Sequence, residues 1–409
     1  MKKWAGYFFL IFAIVSCKDA DLKLAPSLGI WQAELSVMDS QVLPFNFKLA
    51  KTESGTYEME IYNAEEVITV DEISIWGDSI KIQTPVFEGF IEGTFNDNEI
   101  KGRFVKESLD RIVPFKASFG VKDRFNDAMP TALNVSGIWE TEFSQGAKSS
   151  YMAKGIFAQQ GNKVNGTFRT TTGDYRYLEG VISGDSLKVS AFDGAHAFLF
   201  TAKVTDSSLN GMFYSGNHFK EPFVSKRNEA YELPHADSLT FLKDGYDRLT
   251  FSFPDVEGNM VSLEDDRFKN KVILVQLMGT WCPNCLDETK YYVDYLKHNK
   301  DADLEILALA FESAKTEEVA LKSISRLRDR IGIPYPILLA QFGSYDKELA
   351  QQKLPMLNHV LSYPTTIFID KKGNVRKIHT GFNGPATGDK FIEFQRDFDA
   401  FVKTLLTEE

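Results

Sequence analysis

The chain has 409 residues and a formal net charge of -11. That length exceeds one ordinary domain, and about two or three are expected. A composition of 43% hydrophobic and 25% charged residues is that of a folded protein and excludes wholesale disorder. The excess of 57 Asp and Glu over 46 Lys and Arg argues against nucleic acid as a partner, because phosphate-backbone binding needs clustered positive charge. Three cysteines are too few for a disulfide scaffold. No apolar run reaches the roughly 18 residues of a helix that stays in a membrane.

Residues 1–17 read as a secretory signal. Lys2 and Lys3 precede the apolar stretch Tyr7–Val15, and Ser16-Cys17 is followed by the polar run Lys18-Asp19-Ala20-Asp21. A small residue directly before a cysteine, just after such a core, resembles a bacterial lipoprotein cleavage site. The resemblance implies that Cys17 becomes the mature N-terminus and is lipidated, with residues 18–28 as a tether. Several acyl chains hold a domain firmly on a bilayer. The other reading is a plain cleaved signal with Cys17 incidental. Both put the chain outside the cytoplasm. A lipid anchor would hold it in the bacterial cell envelope, facing the periplasm or, if Lys18-Asp19 acts as an export tag, on the outer surface.

An internal repeat follows. Gly29-Ile30-Trp31 returns as Gly137-Ile138-Trp139, and Gly77-Asp78-Ser79-Ile80-Lys81 as Gly184-Asp185-Ser186-Leu187-Lys188. Gly102-Arg103-Phe104 returns as Gly211-Met212-Phe213, and Pro114-Phe115 as Pro222-Phe223. A common order at a spacing of about 108 residues argues for two duplicated all-β modules, 29–121 and 135–227. Within them Ile73 and Ile75 alternate with polar neighbours, Gly77-Asp78 interrupts, and Ile80 and Ile82 resume the alternation, which is a hairpin pattern. Leu187 and Val189 repeat it. Short strands with regular breaks suggest sandwiches or barrels, and the Gly-x-Trp opening resembles the first strand of lipocalin-like barrels. The simpler expectation is a stalk with Trp31 and Trp139 in the cores. The alternative is a cavity for an apolar ligand or a docking surface, which would make the chain an envelope binding lipoprotein. His196 and His218 each stand alone and read as satisfied polar groups. Residues 228–248 lack either period, contain Pro234 and Gly245, and read as a linker.

From 249 to 409 strands alternate with helices, which implies an α/β sheet with crossovers. Residues 251–263 read as a hairpin turning at Glu257-Gly258-Asn259. The apolar run 272–278 suits a strand covered on both faces. Gly279-Thr280-Trp281-Cys282-Pro283-Asn284-Cys285 follows, then a helix to His298 and a second strand at 304–311. Thr316 reads as the N-cap of a helix ending at Gly332, with Glu317 and Glu318 at its start and Arg326, Arg328 and Arg330 at its end. Tyr363-Pro364-Thr365 opens a strand to Asp370, paired through Lys372-Gly373-Asn374 with another to about Thr380, and a helix runs from Gly388 to Leu406. Residues 334–361 read as an insertion.

A cysteine at a helix N-terminus faces unpaired N–H groups and the positive end of the dipole, which stabilise the thiolate. Three residues on, Cys285 lies about one turn away on the same face, so the two can close a disulfide. Cys282 would attack a substrate disulfide, and Cys285 would resolve the mixed disulfide. Pro283 suits the first helical turn. Neither Pro283 nor Asn284 is charged, so the pair lacks a histidine that would make it a strong oxidant; a reductase is the expectation, with isomerase or oxidase as the alternative. A structural disulfide without turnover is the inert alternative. Zinc needs about four ligands, and beyond one cysteine pair there are only scattered histidines (His298, His359, His379), so no metal is expected. Gly279 and Gln276 replace the Thr and Pro of a peroxiredoxin.

Together these residues resemble the thioredoxin superfamily, closest to the TlpA-like extracytoplasmic thiol–disulfide oxidoreductases. The resemblance implies a cis Pro364 opposite the disulfide, exposing backbone for an extended substrate, with Trp281, Tyr363 and Thr365 at the substrate-binding positions. It also implies that Glu288, three residues past Cys285, relays that cysteine's proton; the alternative is an exposed helix charge. Cytoplasmic thioredoxins place an acid where this chain has Gln276. The implied partners are a protein disulfide substrate and a membrane thiol electron donor, with no cofactor.

Overall fold

The computed structural model describes residues 25–125 and 129–408. The signal, Cys17 and most of the tether lie outside the described residues.

The first half consists of two antiparallel nine-stranded sheets. In the first, the opening strand Gly29–Ser36 pairs with both Val42–Lys51 and Arg111–Phe119. Two strands adjacent in the chain, Glu66–Val70 and Glu72–Trp76, form its two edges, so the sheet curls round on itself. In the second, Gly137–Phe143 pairs with both Tyr151–Gln160 and Phe219–Arg227. Tyr151–Gln160 also pairs with Lys163–Thr170, which carries the ladder back to its start. Closure of that kind removes the edges where another chain could pair.

Aromatic side chains fill both sheets. Trp31, Phe45 and Phe47 are fully buried in the first; Trp139, Phe143, Phe168, Phe200 and Phe223 are buried in the second. Each Trp satisfies its N–H just upstream, Trp31 on Ser27 O at 3.0 Å and Trp139 on Val135 O at 2.8 Å, as a buried indole requires. The sheets also pack on each other: Phe192 stacks on Phe45 at 4.3 Å, and the Asn63 amide pairs with the Phe192 backbone.

The C-terminal domain opens with a short hairpin, Ser252–Pro254 with Met260–Ser262. Its five strands are β1 (Val272–Met278), β2 (Leu304–Phe311), β3 (Ile337–Gln341), β4 (Thr365–Ile369) and β5 (Val375–Thr380). They lie in the order β3-β2-β1-β4-β5, with β1 parallel to β2 and antiparallel to β4. Helices α1 (Pro283–His298), α2 (Glu317–Ile331), α3 (Lys347–Lys353) and α4 (Asp389–Thr407) connect and cover them. All seven residues of the central β1 are buried, which is why its sequence does not alternate. Thr316 caps α2, accepting from Val319 N, and Gly332 ends it with φ 68°, a left-handed conformation that suits glycine.

Two expectations are revised. The stretch 334–361 is more than an insertion: it supplies α3 and the edge strand β3, which pairs in parallel with β2. A run of four apolar residues, Ile337 to Ala340, carries no period that distinguishes a strand from a loop anchor. Residues 228–248 pack on the C-terminal domain instead of simply bridging to it. Asp237 pairs with His379 Nδ1 at 2.6 Å, Thr380 Oγ1 donates to Thr240 Oγ1 at 2.9 Å, and Leu242 bridges to Leu357.

Candidate redox site

Strand β1 ends at Met278, and the turn 279–281 delivers Cys282 to the N-cap of α1 with Pro283 behind it. Cys285 N donates to Cys282 Sγ at 3.2 Å. One of the orphan amides of the helix start is therefore aimed at the first sulfur. Cys282 and Cys285 are joined as a disulfide with Cα atoms 5.2 Å apart.

The Tyr363-Pro364 peptide is cis. Cys282 Sγ lies 3.5 Å from Tyr363 O. Thr365 Oγ1 donates to Ser362 O at 2.9 Å and Gly381 N donates to Pro364 O at 2.9 Å, holding this loop in place. Trp281 donates its N–H to Phe311 O at 2.9 Å and meets the Tyr363 ring edge-on at 5.8 Å. Tyr363 thus lies against Cys282, with Trp281 on its ring and Pro364 and Thr365 following in the same loop.

Two buried carboxyls flank the motif. Glu288 is fully buried, so the exposed-charge alternative does not hold. Its Oε2 accepts from Gln276 Nε2 at 2.8 Å and its Oε1 from Thr366 Oγ1 at 3.1 Å. Burial pushes its carboxyl up to about 7, against these hydrogen bonds, which lower it. Glu312 is the second, and no motif in the sequence marks it. It follows β2 directly, accepts from Thr280 N at 2.8 Å and Thr280 Oγ1 at 2.6 Å, and is likewise pushed up to about 7 by burial. An acid closing an apolar strand beside the one that carries the motif was the available signal.

The raised Glu288 pKa has a stability consequence. The unfolded carboxyl loses its proton near 4.5, whereas the folded one keeps it to about 7. The folded state then binds more protons, so stability falls as pH rises through that window, by about 3 kcal/mol in all. Glu288→Gln is expected to remove this contribution. Urea unfolding at pH 5 and pH 7.5 measures it: the pH difference should shrink relative to the unsubstituted chain, leaving the share of the other raised carboxyls, Glu312, Glu66 and Asp174.

The pair is covered. Cys282 is 6% exposed and Cys285 fully buried. A turn of the second sheet, residues 171–176, lies over the motif and the proline loop. Thr172 O accepts from Ser362 Oγ at 2.9 Å, Asp174 O from Asn284 Nδ2 at 3.3 Å, and Asp174 Oδ2 from Gly384 N at 2.8 Å. A Cβ on Gly173 would fall 2.0 Å from Asn284 Nδ2 at a φ of +142°, so a larger residue would strain the backbone and displace the Asn284 amide. Arg176 anchors the turn through Asp287 of α1, Glu66 of the first sheet at 2.6 Å, and Asp193 at 3.4 Å.

A strand, a CxxC helix start and a facing cis-proline loop define a thioredoxin-like redox domain. Residues 244–391 match the Redoxin family. The chain is similar to the thioredoxin-like protein YneN of Bacillus subtilis, 29% identical over 140 residues, 34% of this chain and 73% of that protein. It is 27% identical to the thiol-disulfide oxidoreductase ResA of the same organism over 140 residues, 34% of this chain and 69% of ResA. A thioredoxin-family thiol:disulfide interchange protein from Chlorobium tepidum aligns over 40% of this chain and 99% of its own, at 22% identity and a TM-score of 0.30. The C-terminal domain belongs to the thioredoxin superfamily, among its TlpA-like thiol–disulfide oxidoreductases.

Proposed function

We propose that the protein is a lipid-anchored envelope oxidoreductase that reduces protein disulfides through Cys282 and Cys285. The observation that carries this reading is Cys282 at the N-cap of α1, 3.5 Å from the carbonyl that precedes Pro364. In the reduced enzyme the Cys282 thiolate attacks one sulfur of the substrate disulfide, and the first substrate thiolate leaves. Cys285 then attacks Cys282 Sγ, closes the disulfide of the enzyme and releases the second thiol. Glu288, titrating near neutrality one turn beyond Cys285, takes the Cys285 proton. Trp281, Tyr363 and Thr365 line the path of an extended substrate strand. A membrane dithiol outside this chain returns two electrons, and acylated Cys17 keeps the protein within its reach.

The uncharged Pro283-Asn284 dipeptide supports the reducing direction. The two sheets, as copies of one module, space the redox domain from the bilayer and supply the covering turn, which must lift before a protein disulfide can reach Cys282. The test is reduction of insulin by the full chain with limiting dithiothreitol, together with the potential of the pair against glutathione. Catalysed precipitation and a potential near that of thioredoxin, roughly -270 mV, are expected. A potential near roughly -120 mV would assign an oxidase instead.

A further inference from the structure

A cavity of about 500 Å³ opens where the two sheets meet the redox domain. Trp281, next to Cys282, and Tyr345 form one wall, and Phe198 of the second sheet forms another. The remaining lining includes Lys106 and Arg111 at a hairpin end of the first sheet, and His218 in a turn of the second.

The basic groups have no carboxylate in direct contact among the described residues. Lys106 and Arg111 sit directly opposite each other across the antiparallel ladder, a register in which like charges are destabilising. Lys106 is 9% exposed and donates to Ala195 O at 3.1 Å. Among the described residues neither cation forms an ion pair within 4.0 Å. Glu88 acts on both, and Asp193 on Lys106, from beyond that distance; the Glu88 carboxylate is held by Ser108 Oγ and N, and Asp193 by Arg176 and His196. Burial pushes the Lys106 ammonium down, and burial with the fields of Arg111 and Lys106 pushes the His218 imidazole down to about 4. His218 is then a neutral hydrogen-bonding group beside two cations. A buried lysine and a partly buried arginine against aromatic walls have no contacting anion.

We propose that this cavity binds the anionic, aromatic or apolar portion of the disulfide substrate, with Lys106 and Arg111 setting a preference for acidic disulfides. This rests on the redox reading above. The anionic group sits between Lys106 and Arg111, its apolar body lies along Phe198 and Tyr345, and the disulfide is presented past Trp281 to Cys282. The chemistry is the exchange already written: the dithiol gives up two electrons, two substrate thiols leave, and the Cys282–Cys285 bond re-forms.

The test uses the full chain, reduced with dithiothreitol, desalted, and mixed with dithiobis(nitrobenzoate), an aromatic disulfide bearing two carboxylates, or with uncharged dithiodipyridine. Each releases a coloured thiol. Rates are referred to those of free dithiothreitol with the same two compounds. The anionic compound should be favoured, and the preference should fall about tenfold in Arg111→Gln and in Lys106→Met, the loss of one charge-assisted contact. Arg111→Lys should retain it. Arg111→Gln should not lower the melting temperature, since it relieves a like-charge pair and breaks no hydrogen bond; a purely structural role would lower it. Lys106→Met also removes the bond to Ala195 O, so its preference ratio, and not its melting, is the readout. An equal preference in the unsubstituted chain and both variants overturns the inference and leaves the redox reading intact. If the reduced chain consumes neither disulfide, both fall together.

Discussion

Cys282→Ser is expected to abolish dithiol-dependent reduction of insulin, by at least about a thousandfold, because a serine hydroxyl cannot supply the attacking thiolate. Cys285→Ser should behave differently. Its Cys282 can still attack once, but nothing resolves the product, so a mixed disulfide between Cys282 and the substrate accumulates. Non-reducing electrophoresis and mass spectrometry distinguish the two variants. The asymmetry follows from position. Cys282 is at the helix cap with the Cys285 amide aimed at its sulfur, while Cys285 is fully buried one turn inside. Full activity in Cys282→Ser would move the chemistry elsewhere in the chain. A trapped adduct in Cys282→Ser, through Cys285, would reverse the roles of the two sulfurs.

What the sequence made legible depends on how local the physics is. Strand β1 announces itself as an apolar run because both its faces are covered, and the CxxC motif, the caps of α2 and the proline before β4 are each specified within a few residues. Strand β3 was hidden because the four apolar residues Ile337 to Ala340 carry no usable period. Glu288 was readable as a position relative to Cys285, but the hydrogen bonds that let it be buried come from Gln276 and Thr366, on two strands beneath the helix. Still less visible was everything assembled across domains. His218 stands alone in the chain and meets Lys106 and Arg111 only because two hairpin ends converge. Gly173 reads as one more turn glycine until Asn284, more than a hundred residues away, is found against it.

Arg176 is where that assembly can be tested most directly. Its side chain is 7% exposed and joins Glu66, Asp193 and Asp287, one carboxylate from each of the three structural units it touches. Arg176→Met leaves those carboxylates close together and without their cation, and breaking a buried pair of this kind costs about 3–5 kcal/mol. The melting temperature should fall by roughly 10 °C for domains of this size. The deficit should depend on pH in a definite direction. Burial already raises the Glu66 carboxyl, and losing the guanidinium raises it further. The folded variant therefore holds protons that its unfolded chain releases, and its stability recovers as pH is lowered from 7 toward 5. The same substitution should free the turn 171–176 from α1, so the Cys282–Cys285 disulfide is reduced by dithiothreitol about tenfold faster, the equivalent of one lost contact of about 1.4 kcal/mol. Alkylation followed by mass spectrometry reads that rate independently of melting. A variant that melts early with an unchanged reduction rate would mean that Asp174 and Ser362, not Arg176, hold the turn shut. Unchanged melting would remove the network from the forces joining the sheets to the redox domain.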